Sequence, residues 1–246
     1  MLTKAQNKYI RSLSQQKYRK EHGAYIVEGD KVAREWLDSK ADIKMVVALP
    51  EWIAANGNKL ANHPKAEILG VELHQLESVS GLQTPNNVLL VVGMEDKKPS
   101  LPTNEWCIAV ENLQDPGNMG TIIRIADWFG IRHVIASHGC VDFYNPKVIQ
   151  AAMGGHLRVQ LHEAELEGFL SSTKMPVLAA VLGGDNVYEL KGLDKGVILI
   201  GNESKGLSQG LIDKATHKVT IPRKGGAESL NAAVSAGILC ALLIQG

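Results

Sequence analysis

The chain has 246 residues, 45% of them apolar and 21% charged, an ordinary globular composition with room for one large domain or two modest ones. Lys and Arg number 26 and so do Asp and Glu, so net charge by itself selects no class of partner. Three cysteines without a CxxC or Cys/His spacing, and eight histidines without an HExxH or HxxxH pair, exclude a disulfide framework and leave no candidate metal site. The thiols read as buried groups in a reducing compartment. No apolar run approaches the roughly 20 residues of a membrane span, and the protein is expected in the cytoplasm.

In chain order, the opening twenty residues carry Lys4, Lys8, Arg11, Lys17, Arg19 and Lys20 and no acidic residue, with Tyr9 and Tyr18 interleaved. Such a segment suits either a nucleic-acid backbone or a solvated helix face, and composition by itself leans to the helix face. From residue 24, short β-branched runs alternate with helical stretches: "AYIV", a segment to Asp38, "MVVAL", "EWIAANGNKLAN", "AEILGV", "HQLESV" and "NVLLVV". This alternation predicts a small α/β domain over residues 1–94. "MEDKKPSLPTNE" then brings charge and proline without any period and is predicted as a linker over residues 95–105.

Residues 106–246 restart the alternation with "WCIAVEN", "HVIAS", "RVQL", "PVLAAV", "GVILIGN" and "KVTIP", each followed by a polar loop or helix. Continuously apolar strands predict a parallel sheet covered on both faces, with a ligand outside the carboxyl ends of the strands. Three of the loops there are unusual. In "VENLQDPGNMGTIIRIADWFG", Pro116, Gly117 and Gly120 shape a turn, Asn118 is placed to cap the next helix, and Ile122, Ile125, Ala126 and Phe129 make its buried stripe. Arg124 falls off that stripe, where it either faces a ligand or pairs with Asp127 one turn on.

The second loop, "GNESKGLS" at 201–208, has the glycine spacing of a phosphate-binding loop, but Leu207 stands where that loop needs lysine and Glu203 repels a polyanion. It suits a neutral or cationic ligand. The third, "VTIPRKGGAESLNAAVSAGILCALLIQ", opens with Pro222, Gly225 and Gly226 and runs into a helix over 230–244 that is apolar on nearly every face. A terminal helix of that kind is predicted to bury itself against a second subunit.

These loops carry a resemblance. "DPGNMGTIIRIAD", "LIGNESKGLS" and "IPRKGGAESLNAAV", in this order, resemble the three signature motifs of the SpoU/TrmH family of RNA ribose 2'-O-methyltransferases, within the SPOUT superfamily. "AYIVEGDKVAREWL" and "GLQTPNNVLLVV" resemble the L30e-like substrate-binding domain that many members carry in front. The resemblance implies an α/β knot, in which a Rossmann-like parallel sheet ends in a deep trefoil knot, and a homodimer joined through the knot region and helix 230–244. It implies S-adenosylmethionine as methyl donor, held by Ile200, Gly201, Ile221, Ser229 and Leu230. It makes Arg124 the residue that takes or relays the ribose proton, with Asn118, Glu203, Ser229 and Asn231 holding arginine, RNA phosphate and cofactor in register. Since a guanidinium in general keeps its proton to pH above about 12, an electrostatic role beside the ribose or phosphate is the physically easier one.

Some positions depart from the common pattern. Arg223 and Lys224 replace the usual methionine after "IP" and are expected either to contact phosphate or to form a solvated loop tip, while Ala152 and His156 in "KVIQAAMGGHL" point to an altered substrate pocket. The implied activity belongs to class EC 2.1.1, with ribosomal RNA preferred as substrate. A tRNA 2'-O-methyltransferase and a non-catalytic dimeric RNA-binding protein are the alternatives. A Rossmann nucleotide enzyme is excluded, because no GxGxxG follows the first strand.

Overall fold

A computed structural model describes residues 2–95 and 100–244 of the chain. They form two compact units, one of residues 1–97 with Tyr144–Leu157, the other of residues 98–143 with 158–246. The predicted linker 95–105 lies partly outside the described residues, at 96–99.

The first unit begins with α1 (Lys4–Ser12), which a Thr3/Gln6 capping box starts, and α2 (Gln16–His22), which Gly23 ends with a left-handed φ of 54°. Then follow β1 (Ala24–Glu28), α3 (Asp30–Leu37), β2 (Ile43–Ala48), α4 (Pro50–Ala55), α5 (Gly57–Leu60), β3 (Glu67–Gly70), α6 (Leu73–Glu77) and β4 (Val88–Gly93). The strands pair in the order β1-β4-β2-β3, with β4 antiparallel to β1 and β2, and β3 parallel to β2. Successive side chains of β1 and β4 enter two different cores: Tyr25, Val27, Leu90 and Val92 join Trp36 and Trp52, whereas Ala24, Ile26, Leu89 and Val91 join Ile10, Leu13 and Leu76. Cover on both faces is why these strands read as unbroken apolar runs.

The second unit contains β5 (Cys107–Val110), α7 (Pro116–Trp128) and β6 (His133–Ala136). Its chain leaves for the first unit at α8 (Pro146–Ala152) and returns with β7 (Gln160–Glu163), α9 (Leu166–Ser172), β8 (Val177–Asn186), β9 (Val197–Ile200), α10 (Gln209–Ile212), β10 (His217–Thr220) and α11 (Ala232–Leu243). All six strands are parallel, in the order β10-β8-β9-β5-β6-β7. β5, β6 and β7 wind outward in one direction, while β9 lies on the other side of β5. The β5/β9 boundary is therefore a topological switch point, where ligands of open α/β sheets bind.

Two expectations change. Residues 144–157 do not fold with the second half, because Ile149, Tyr144, Met153 and Leu157 complete the core around Trp36. Within that segment Ala152 is fully buried, and the His156 ring lies 6.4 Å from Trp36 and 6.0 Å from Tyr144, so neither departure from the family pattern opens a substrate pocket. No helix of the described residues is long and apolar enough to cross a membrane.

Candidate active site

The loops after β5, β9 and β10 leave from the carboxyl ends of their strands and are tied to one another by side chains. Asp115, not Asn118, is the N-cap of α7: its Oδ1 accepts from the Asn118 main-chain N–H at 2.7 Å. That exchange has a reason, since Pro116 fits the first helical turn, where no N–H is needed, and Asp115 stands one residue ahead of it. Asn118 is thereby free to use its side-chain amide elsewhere.

It does so in both directions. Asn118 Nδ2 donates to Glu203 Oε1 at 3.0 Å, and Asn118 Oδ1 accepts from Asn231 Nδ2 at 2.8 Å. Asn231 is itself the N-cap of α11, its Oδ1 accepting from Ala233 N–H at 2.9 Å and Val234 N–H at 3.2 Å. One relay, Asn231 to Asn118 to Glu203, thus joins all three loops and fixes the flip state of both amides, because each oxygen and nitrogen meets a partner of one kind only.

The second loop is a closed turn. Asn202 and Gly206 exchange main-chain hydrogen bonds of 3.1 and 2.9 Å, and Asn202 Oδ1 accepts from Ser204 and Lys205 N–H inside it. Gly201 is obligatory, because a Cβ there would stand 2.3 Å from the Gly206 carbonyl carbon. Two further contacts stitch this turn to the loop after β5: Asn202 Nδ2 donates to Asn112 O at 2.7 Å, and the Ser208 N–H donates to Glu111 Oε2 at 2.7 Å. Ser208 sits at the N-cap of α10, but its hydroxyl makes no capping bond. Glu111, Asn112 and Asn202 were not singled out by sequence. The usable signal was Asn112 at a strand end, since asparagine tolerates the left-handed region it occupies here at φ 50°.

Arg124 lies on α7 six residues beyond Asn118, about 9 Å further along the helix, and is outside the relay. Its expected alternative partner is taken, as Asp127 holds Arg158 Nε at 2.8 Å. Among the described residues Arg124 makes no ion pair or hydrogen bond, and it is exposed. Ser229 and Leu230 are exposed too, Ile200 is buried at the end of β9, and Ile221 is half-buried. Arg223 reaches back within its own loop, Nη1 to Ala227 O at 3.1 Å, while Lys224 extends from an exposed loop position.

The residues of these loops fit a sulfonium cofactor. The main chain of 221–230 is largely exposed, and among the described residues only Ala227 O within it has a hydrogen-bond partner. Unused N–H and C=O groups beside a neutral glycine turn suit a ligand carrying an adenine, a ribose and a positive sulfur. They do not suit a triphosphate.

On the first unit, Lys4, Lys8, Arg11, Lys17 and Lys20 are exposed, and Lys4, Lys8 and Arg11 share one face of α1. Arg19 does not belong with them. Its side chain is buried, and Nη1 donates to Leu13 O and Ser14 O, both at 2.8 Å, so it closes the carbonyl end of α1.

The six-stranded parallel sheet, with its loops after β5, β9 and β10 tied into one open cradle, belongs to a fold shared with the SpoU Methyltransferase AviRb from Streptomyces viridochromogenes, over 97% of this chain and 96% of that one (TM-score 0.83, 21% identity). The chain belongs to the SpoU rRNA Methylase family, whose model matches residues 105–241, and residues 4–90 match the MRM3-like substrate binding domain. It is an S-adenosylmethionine-dependent rRNA ribose 2'-O-methyltransferase. It is 27% identical over 238 residues, 93% of this chain and 92% of the relative, to the 23S rRNA (guanosine(2553)-2'-O)-methyltransferase RlmP of Bacillus subtilis. Among solved structures, a protein from Porphyromonas gingivalis assigned to the TrmH family of RNA methyltransferases is 33% identical with a TM-score of 0.87, over 98% of this chain and 97% of that one. The AdoMet-bound rRNA methyltransferase from Sinorhizobium meliloti is 28% identical, also at TM-score 0.87, over 98% and 94%.

Proposed function

We propose that this enzyme methylates a ribose of large-subunit ribosomal RNA, and that it does so as a homodimer with Arg124 beside the reacting 2'-oxygen. The single observation that carries the site assignment is the Asn231 to Asn118 to Glu203 relay, which joins the three loops into one surface. The near full-length likeness to RlmP, covering both domains, supports a 23S rRNA target over tRNA.

When bound, S-adenosylmethionine supplies a methyl group already activated by its sulfonium. Ile200, Gly201, Ile221, Ser229 and Leu230 hold it through main-chain groups of the loops after β9 and β10. The protein's remaining task is to fix the ribose oxygen in line and to stabilise the charge that develops there. Arg124, unpaired among the described residues and planar, suits that charge and a neighbouring RNA phosphate. Lys4, Lys8, Arg11, Lys17 and Lys20 hold the RNA backbone, joined by Arg223 and Lys224 at the cofactor loop.

The dimer is supported by an apolar surface that the single chain leaves open. Thr121, Arg124, Ile125 and Trp128 share one face of α7, and Val234, Ile238 and Ala241 one face of α11. Trp128 is 84% exposed and Val234 50%. The two helices pack together, with Ile125 against Gly237, so these faces form one patch with Arg124 on it. A second subunit covering that patch would also enclose the arginine. The return of α11 to α7 and β9 is the part of the chain in which this reading places the trefoil knot.

Mapping ribose methylation in rRNA from cells with and without the gene tests the substrate. One 23S ribose that loses its methyl group and regains it on complementation is the expected result, and a lost tRNA methylation would redirect the assignment. Arg124→Ala is expected to abolish activity while leaving the fold intact. Near-full activity in that variant would remove Arg124 from the mechanism, and near-full activity in Arg124→Lys would exclude planar, two-pronged recognition.

A further inference from the structure

The first unit holds a cavity of about 350 Å³ that the methyl-transfer site does not use, at the small end of the roughly 300–1,000 Å³ typical of ligand sites. Ile26, Leu82 and Pro146 give it apolar walls, and Glu28, Lys147 and Gln150 give it polar ones. Glu28 is the unusual member. It ends β1 at only 7% exposure, and a carboxylate buried that far must be held by donors. Ser80 Oγ donates to Oε2, and the Gly81 N–H donates to Oε1 at 2.9 Å. Ser80 Oγ in turn accepts from Leu82 N–H at 3.1 Å, so the loop that forms one wall also locks the carboxylate.

Each carboxylate oxygen keeps acceptor capacity beyond the single bond it receives here. The geometry points to a pocket for an unpaired guanine of the RNA substrate. Single-stranded bases are recognised by apolar contact on their faces and hydrogen bonds on their Watson–Crick edge. Guanine is the base that presents two parallel N–H donors, at N1 and N2, to one carboxylate. Ile26, Leu82 and Pro146 contact the ring, Glu28 accepts both donors, Gln150 supplies an amide for the remaining edge and Lys147, exposed at the mouth, takes the phosphate. The inference rests on the reading of this chain as an RNA methyltransferase and adds a base-reading element to its front domain.

Isothermal titration of the full chain with GMP, IMP and AMP tests it. IMP keeps the N1 donor but lacks the N2 amino group, and AMP offers an acceptor at N1. GMP is expected to bind roughly tenfold more tightly than either, the scale of one bidentate base contact. Glu28→Gln should abolish that preference. Ala151→Phe, which fills the cavity from α8 and leaves the carboxylate in place, should abolish GMP binding and carries the test if Glu28→Gln does not fold. Equal binding of the three nucleotides, or an unchanged GMP affinity in Ala151→Phe, overturns the pocket. S-adenosylmethionine titration and rRNA methylation are measured alongside: methylation without a guanine preference sinks the pocket alone, whereas a guanine preference without methylation sinks the enzymatic reading alone.

Discussion

Asn231 performs two tasks that substitution can separate. Its Oδ1 caps α11 with bonds of 2.9 and 3.2 Å to Ala233 and Val234, and its Nδ2 holds Asn118 at 2.8 Å. Asn231→Ala removes both, at about 1 kcal/mol for an exposed cap and about 0.5–1 kcal/mol for the amide bond. The catalytic unit should therefore lose about 1.5–2 kcal/mol, a Tm decrease of roughly 3–8 °C. Asn231→Asp is the informative partner. An aspartate caps as well as asparagine does, and its charge favours a helix N-terminus, so stability should change by less than about 0.5 kcal/mol. Yet the donor to Asn118 is replaced by an anion facing Asn118 Oδ1. Asn118 must then turn its amide toward residue 231, which takes the donor away from Glu203 and unties the second loop. Thermal denaturation together with single-turnover methylation of rRNA reads both tasks. Asn231→Asp should melt like the wild type and methylate at least tenfold more slowly, the size of effect expected when a positioning bond of about 1.4 kcal/mol is lost. Wild-type rates in this variant would show that the relay is only a scaffold, and the argument that it assembles the site would fall.

Gly201→Ala forces a Cβ to 2.3 Å from the Gly206 carbonyl carbon, so the closed turn must open; S-adenosylmethionine titration should show affinity reduced at least tenfold with the melting of the first unit unchanged. Arg19→Ala strips the cation from the buried Leu13 carbonyl and the part-buried Ser14 carbonyl and should destabilise the first unit by about 2–3 kcal/mol, whereas Lys8→Ala should leave its melting unchanged and weaken RNA binding in a salt-dependent way. Burial pushes the Cys107 and Cys240 thiols from 9.0 up to about 12. The unfolded thiols ionise first, so stability is fully present below pH 9 and drains between pH 9 and 12, by on the order of 1 kcal/mol per thiol per pH unit. Urea midpoints at pH 8, 9 and 10 should fall accordingly, and Cys240→Ala should flatten the slope; a flat wild-type profile would contradict the burial.

Much was legible in the chain because the information is local. Most strands of the described residues follow apolar β-branched runs, β7 departing where the run "RVQL" gives way to the mostly polar Gln160–Glu163 at the sheet edge, and the three loops carry glycine, proline and asparagine where a strand must turn into a helix beside an open surface. Leu207 in place of a P-loop lysine and the acidic Glu203 already told against a phosphate cradle. The family resemblance carried the reaction, which no periodicity could supply. What escaped was set by contacts distant in sequence. Arg19 looked like one more surface cation, and only the return of α2 against the end of α1 buries it. Asp115 and Asn118 are both competent caps, and the choice fell to Asp115 because Asn118 is held by Glu203 and Asn231, 85 and 113 residues away. Residues 144–157 read as part of the catalytic half, but their apolar stripe found its complement in the core around Trp36. Sequence fixes which segments are strand, turn or helix, because backbone sterics and burial period act over a few residues. Tertiary structure alone decided which buried face, cap and amide met which partner, since those pairings depend on packing between segments that the chain order holds far apart.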